Sequence, residues 1–171
     1  HRVFGFLCAA RILGVRPDVV YVDAFLVDRP WYRARVARAL GTTVPDDARA
    51  EQILALAARA GRPVFLAGLP ELQARLPAVP HGTVLRVLRR DELRPDAEAL
   101  EASNRLLFQG FHLDDPAPRI QWSWAGDART AYARAWVAIG QAHLTEGRPE
   151  RALAAWTEAS RLAPWLRLEV H

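Results

Sequence analysis

Val19 to Val27 is an almost unbroken apolar run rich in β-branched and aromatic side chains, a pattern that predicts a strand covered on both faces, as in a parallel sheet. Before it, Val3 to Leu13 carries Phe4, Phe6, Leu7, Ile12 and Leu13 among small residues and predicts an apolar helix, closed by Gly14 and Pro17. After it, Asp28 predicts a helix cap, with Pro30 in the first turn and Trp31 as the anchor. Trp31 to Leu40 has a helical period, with Trp31, Val36 and Leu40 along one face and Gly41 at its end. Pro45-Asp46-Asp47 opens a helix over Ala48 to Ala60 that turns Ile53, Leu54, Leu56 and Ala57 inward and stops at Gly61. Val64 to Ala67 predicts a second short buried strand, Leu69 to Leu76 a short helix, and His81-Gly82 a turn into a third strand, Thr83 to Leu88. Strands separated by helices predict a small open parallel sheet flanked by helices, with right-handed crossovers, over residues 1–90. Because the chain opens on a helix, a further strand upstream of His1 is expected.

Arg89 to Pro95 is charged and linker-like, and Asp96 to Phe108 is helical, with Ala97, Leu100, Leu106, Leu107 and Phe108 as its apolar set. Phe111 to Gly126 contains Pro116, Pro118, Trp122 and Trp124 and predicts an ordered, irregular connection, so residues 91–127 form a middle segment. In the last segment, 128–171, Trp136, Ile139, Gly140, His143, Gly147, Ala152, Trp156, Ala159 and Pro164 fall at the spacings of one tetratricopeptide repeat of about 34 residues. Gly140 and Ala152 would let two antiparallel helices approach, Trp136 and Trp156 would fill the space around them, and His143 stands where an aromatic is usual. The expected fold is therefore α/β, with a C-terminal all-helical hairpin of this kind. One such repeat cannot bury both of its faces, so Phe108, Phe111, Trp122 and Trp124 are expected to pack between the hairpin and the α/β part.

Composition narrows the function without naming it. The 171 residues are 51% hydrophobic and 25% charged, enough apolar material for a core. All 23 basic residues are Arg, scattered among 19 acidic ones for a net charge of +4, so no basic face points to nucleic acid. Cys8 is the single cysteine, which excludes an internal disulfide and a multi-cysteine metal site, and its apolar setting reads as packing. No apolar run approaches the roughly 18 residues of a membrane span, so direct membrane insertion is not expected, and no signal peptide is visible. The chain begins with His and contains no Met, which reads as a piece of a longer protein.

Candidate chemistry is sparse. Asp23, near the carboxyl end of the first expected strand, and Gly68, after the second, could border a ligand crevice, since open α/β sheets bind ligands there; the favoured reading of Asp23 is a carboxylate that caps a neighbouring helix or pairs with Arg. No glycine-rich phosphate loop follows either strand, so dinucleotide binding is not expected. Trp122 and Trp124 project to one side of an extended segment and could stack on a sugar ring or seal two subdomains. His81, His112 and His143 lack metal-ligand spacing, Asp114-Asp115 reads as a turn, and Arg89-Arg90 beside Asp91-Glu92 as a solvated charge cluster. Neither a metal nor a cofactor is expected.

In order along the chain, Phe4, Gly14-Val15-Arg16, Asp18-Val19, Val22-Asp23, Leu26 and Trp31-Tyr32 resemble a run in the family called domain of unknown function 2723. These are bacterial multi-pass membrane proteins related to an animal protein O-mannosyltransferase of the GT-C type. The resemblance covers the first third of the chain; the family's acidic run before Phe4 is absent, and Asp23 replaces a residue that is often Asn. The resemblance implies a soluble region on the extracytoplasmic, periplasmic face of a bacterial inner membrane, behind the last membrane helices. Tetratricopeptide repeats are common at the family's C-termini. GT-C sugar-transfer residues sit in loops between membrane helices, so no catalytic residue carries over. The expected function is non-catalytic recognition or assembly, with the parent's membrane module or a peptide or protein as partner. A small stand-alone ligand-binding or enzymatic domain, working around Asp23 and Gly68, is the alternative.

Overall fold

A computed structural model describes residues 18–67, 75–110 and 123–166. The expected helix over Val3 to Leu13, Gly68, nearly all of the helix over Leu69 to Leu76, and Phe111 and Trp122 lie outside these residues. The chain divides into two compact units, His1–Val64 and Phe65–His171.

In the first unit, the apolar run is not a strand. Residues 18–23 are irregular and 24–29 form successive turns, with Leu26 N–H donating to Asp23 C=O at 3.1 Å and Arg29 N–H to Leu26 C=O at 2.9 Å. The cause is local. The Asp23 carboxylate accepts the Phe25 N–H at 2.9 Å, a two-residue closure that competes with an extended ladder. Helix α1, Pro30–Leu40, supplies the other half of the scaffold. Its Tyr32 hydroxyl accepts the Asp23 N–H at 2.7 Å and donates to Tyr21 C=O at 3.4 Å, so a side chain satisfies backbone that a neighbouring strand would otherwise satisfy. Arg29, not Asp28, occupies the cap position. The buried stripe of α1 is Tyr32, Val36 and Leu40, at strict four-residue spacing, whereas Trp31 is 61% exposed. Helix α2, Ala50–Arg59, starts two residues later than the sequence predicts and buries Ile53. Val27, Tyr32, Val36, Leu40, Ala48 and Ile53 form the core of this unit.

The second unit holds the sheet. Strands β1 (Phe65–Leu66), β2 (Ala78–His81) and β3 (Val84–Val87) pair in the order β1-β3-β2, antiparallel throughout. The parallel sheet of Val19–Val27, Val64–Ala67 and Thr83–Leu88 is therefore corrected on two counts. One member is not a strand, and the other two pair in opposite senses. The missing partner is Ala78–His81, joined to β3 by the two-residue turn Gly82-Thr83, which can only connect antiparallel neighbours. Gly82 has φ +63, the left-handed conformation that short hairpin turns require. Pro80 is compatible with this strand because β2 lies at the edge. Leu88 N–H bonds Pro77 C=O at 2.8 Å, which sets the ladder so that Pro80, opposite Leu85, owes β3 no N–H.

Helix α3, Ala97–Phe108, is capped by Asp96, whose carboxylate accepts the Ala99 N–H at 2.8 Å. It buries Ala97, Leu100, Asn104 and Phe108, while Leu106 is 69% exposed, so the inward face is narrower than the apolar set predicts. Helices α4 (Trp124–Thr145) and α5 (Pro149–Leu162) form an antiparallel hairpin: Val137 meets Trp156 near the turn, and Thr130 meets Trp165 at the open end. Ser123 caps α4 by accepting the Gly126 N–H at 3.0 Å. Val79, Leu88, Leu100, Phe108, Trp136, Ile139, Ala159 and Leu162 belong to one core, so the β-hairpin, α3 and the helical hairpin are a single packed body. The sequence reading draws boundaries at 90 and 127; residues on both sides of each share this core. The architecture is mixed α/β, dominated by helices. Among the described residues, no helix is long and apolar enough to cross a membrane.

Candidate functional site

The residues singled out in sequence fall in different places. Asp23 lies in the turn before α1, its carboxylate bonded to the Phe25 amide. Burial pushes the Tyr32 hydroxyl beside it above its ordinary value, against the lowering effect of the hydrogen bond from the Asp23 amide. Gly68 and Trp122 are outside the described residues. Trp124 is the first residue of α4, and the description does not extend to its side chain.

The residues at repeat spacing gather in and around the helical hairpin. Gly140 carries the close approach: a methyl group there would overlap the indole of Trp156, which lies across α4 and donates to Val137 C=O at 3.2 Å. Ala152 and Ala159 are fully buried on α5, and Trp136 is buried on α4. Pro164 is exposed, just past the end of α5. His143 does not take the place of an aromatic against the hairpin partner. It is completely buried, and its Nε2 lies 2.8 Å from Glu101 Oε2 on α3.

That pair anchors a polar seam between α3 and the hairpin. Arg105 bonds Glu101 at 2.7 Å and places its guanidinium 4.7 Å from the Trp136 ring centroid. Glu98 faces Arg148 at 3.2 Å and Arg151 at 3.3 Å. Glu146, at the C-terminal cap of α4, accepts the Ala97 N–H at 2.8 Å and lies 3.5 Å from Arg148. Burial pushes the Glu101 carboxyl up, but the hydrogen bonds and charges of Arg105 and His143 outweigh it and hold it below the usual value. An ionised Glu101 only accepts, so His143 Nε2 carries the hydrogen, and Nδ1 is buried without a partner. A His–Glu pair is the stock of acid–base catalysis, but an imidazole with no exposed surface cannot reach a substrate proton. Its present work is to hold α3.

A second polar contact fixes the other end of α3. Asn104, completely buried, accepts the Gly82 N–H at 2.8 Å and donates to Pro80 C=O at 3.1 Å and to Leu100 C=O at 2.8 Å. One amide thus ties the β-hairpin turn to the helix. Sequence reasoning passed over both Asn104 and Glu101. The available signal was position: 97, 100, 104 and 108 form one stripe, and a polar residue inside an apolar stripe needs a specific partner.

Among the described residues, no group of three or more His, Cys, Asp or Glu side chains could hold a metal ion. No family model matches the chain, and neither a curated protein nor a solved structure matches it significantly.

Proposed function

We propose that this chain is a recognition and assembly domain, and that α4 and α5 are a single tetratricopeptide-like repeat within it. The observation that carries this reading is the crossing at Gly140, where Trp156 occupies the space a side chain would need. It is the contact that the spacing of Trp136, Gly140, Ala152, Trp156 and Ala159 calls for. Leu153, 64% exposed on α5, adds an apolar point on the kind of helix face that a neighbouring repeat or a bound segment covers in repeat proteins.

The resemblance carried by Gly14-Val15-Arg16, Asp18-Val19 and Trp31-Tyr32 supports a parent of the multi-pass membrane glycosyltransferase-like kind. On that reading the domain stands at the periplasmic face of a bacterial inner membrane. It is non-catalytic there and serves the parent's membrane module or a peptide or protein partner. The rival reading, a small ligand-binding or enzymatic domain, has less footing, because the Asp23 carboxylate is engaged by the Phe25 amide.

A photo-crosslinking residue at Leu153, in the parent protein in its native membrane, tests the proposal. One discrete adduct is expected, to the membrane module first, with none from the exposed Arg134 position. Equal labelling at both positions, or none at Leu153, would remove the support. A phosphatase reporter fused after His171 should be active; an inactive fusion would refute the periplasmic placement.

A further inference from the structure

The two halves of α3 are held by different chemistry. Three carboxylates join its N-terminal half to the helical hairpin, beside the buried Ala97 and Leu100: Glu146 on the Ala97 N–H at 2.8 Å, Glu101 on His143 at 2.8 Å, and Glu98 on Arg148 and Arg151 at 3.2 Å and 3.3 Å. Arg151 lies a further 3.9 Å from Glu101. The C-terminal half is held without carboxylates, with the Arg105 guanidinium over the Trp136 ring. Asn104 bonds Pro80 and Gly82, and the Phe108 ring packs on Tyr132 and Trp136 at centroid distances of 5.3 Å and 5.9 Å.

The charges facing one another across the seam are Glu98, Glu101 and Arg105 on α3 against Glu146, Arg148, Arg151 and His143 on the hairpin. With all carboxylates ionised, Glu98 faces Arg148 and Arg151, Glu146 faces Arg148, and Glu101 faces Arg105 and Arg151. With the carboxylates protonated, only Arg105 remains charged on one side and Arg148 and Arg151 on the other. The force across the seam then changes from attraction to repulsion, and the Ala97 amide and the buried imidazole lose their anionic partners.

We propose that the Ala97–Glu101 half of α3 is an acid-releasable clasp, which leaves the helical hairpin as pH falls while Asn104 to Phe108 stay docked. Release bares His143 and frees Arg148 and Arg151 from Glu98, leaving a basic end on the hairpin. The direction of the Glu101 shift agrees. A carboxyl held below its ordinary value stabilises the docked state above that value, and the contribution disappears as pH drops through the lowered one. The clasp stands independently of the assembly role.

Hydrogen exchange on the full chain, followed by mass spectrometry over falling pH and corrected for intrinsic exchange, tests it. Amides within Ala97–Glu101 should open at least about tenfold more per pH unit, the signature of taking up one proton or more, while amides of Trp136 to Ile139 remain protected. Loss of protection in both segments at one pH would be ordinary acid unfolding and would overturn the clasp. Glu146→Gln keeps an oxygen for the Ala97 amide and removes only the charge. The neutral oxygen holds the Ala97 N–H and Arg148 less tightly, so Ala97–Glu101 should exchange faster than in wild type at neutral pH, and exchange equal to wild type would refute the proposal. Glu101→Gln should open the segment at neutral pH; full protection there would count against it. Should that variant fail to fold, the Glu146→Gln exchange rate still decides.

Discussion

Gly82 and Asn104, 22 residues apart, meet inside the core, where the turn amide of a β-hairpin donates to a helix side chain at 2.8 Å. The same side chain takes the Pro80 carbonyl, so one amide group serves as the partner of two backbone groups on β2 and its turn.

Asn104→Ala should therefore cost about 1–3 kcal/mol, since it orphans buried groups as well as deleting a bond. Asn104→Asp should cost more, because a carboxylate would face the Pro80 and Leu100 carbonyls with no donor. Urea unfolding monitored by circular dichroism measures both, and Asn104→Asp as stable as wild type would contradict the contact.

Gly140→Ala should lose about 1–3 kcal/mol by overpacking against Trp156, although alanine is the better helix former. The penalty should vanish once Trp156 is replaced by Leu, where the extra methyl has room. A double-mutant cycle between the two positions should return a coupling energy of about 0.5–3 kcal/mol. A value near zero would mean that the indole does not lie over Gly140.

Two tryptophans separate the core from the surface. Trp136→Ala should cost about 3–5 kcal/mol, because its ring is buried among Phe108, Tyr132 and Ile139. Trp31→Ala, at an exposed site, should stay within about 0.5 kcal/mol. Thermal unfolding of the two variants side by side checks the contrast, and equal losses would place the core wrongly.

Burial, followed by the nearby Arg86 charge, lowers His81 from its usual 6.5. A histidine lowered in the folded state stabilises the fold above its unfolded value, and the contribution is lost as pH falls toward the lowered one. An NMR titration, with the resonance assigned by its absence in His81→Gln, should give a midpoint below 6.5. A midpoint above it would mean that the ring charges freely beside Arg86.

The helices were largely legible because their evidence is repeated. Gly140 and Trp156 mark the place where α4 and α5 cross, and Asp96 marks the start of α3 through a single local bond. The sheet was not legible, because competing local contacts decided it. Asp23 closes a turn on Phe25 inside the run that predicts a strand, and Tyr32, nine residues on, takes the backbone that a strand would have paired. Ala78-Val79-Pro80-His81 does not read as a strand, since proline argues against one, an objection that fails at an edge. For the seam, the sequence shows Glu98, Glu101 and Arg105 at helical spacing but cannot tell which face meets His143. That depends on how α3 rolls on the hairpin, set by Leu100, Asn104 and Phe108 together.

The arrangement at Pro80 has a consequence for life in a crowded solution. An outer strand edge ordinarily offers a row of free amides and carbonyls to which a second chain can add, and such additions seed aggregates. At this position β2 has no amide to offer, since proline lacks one, and its carbonyl is already taken by Asn104. Beside the turn, an incoming strand would find no hydrogen bond to make.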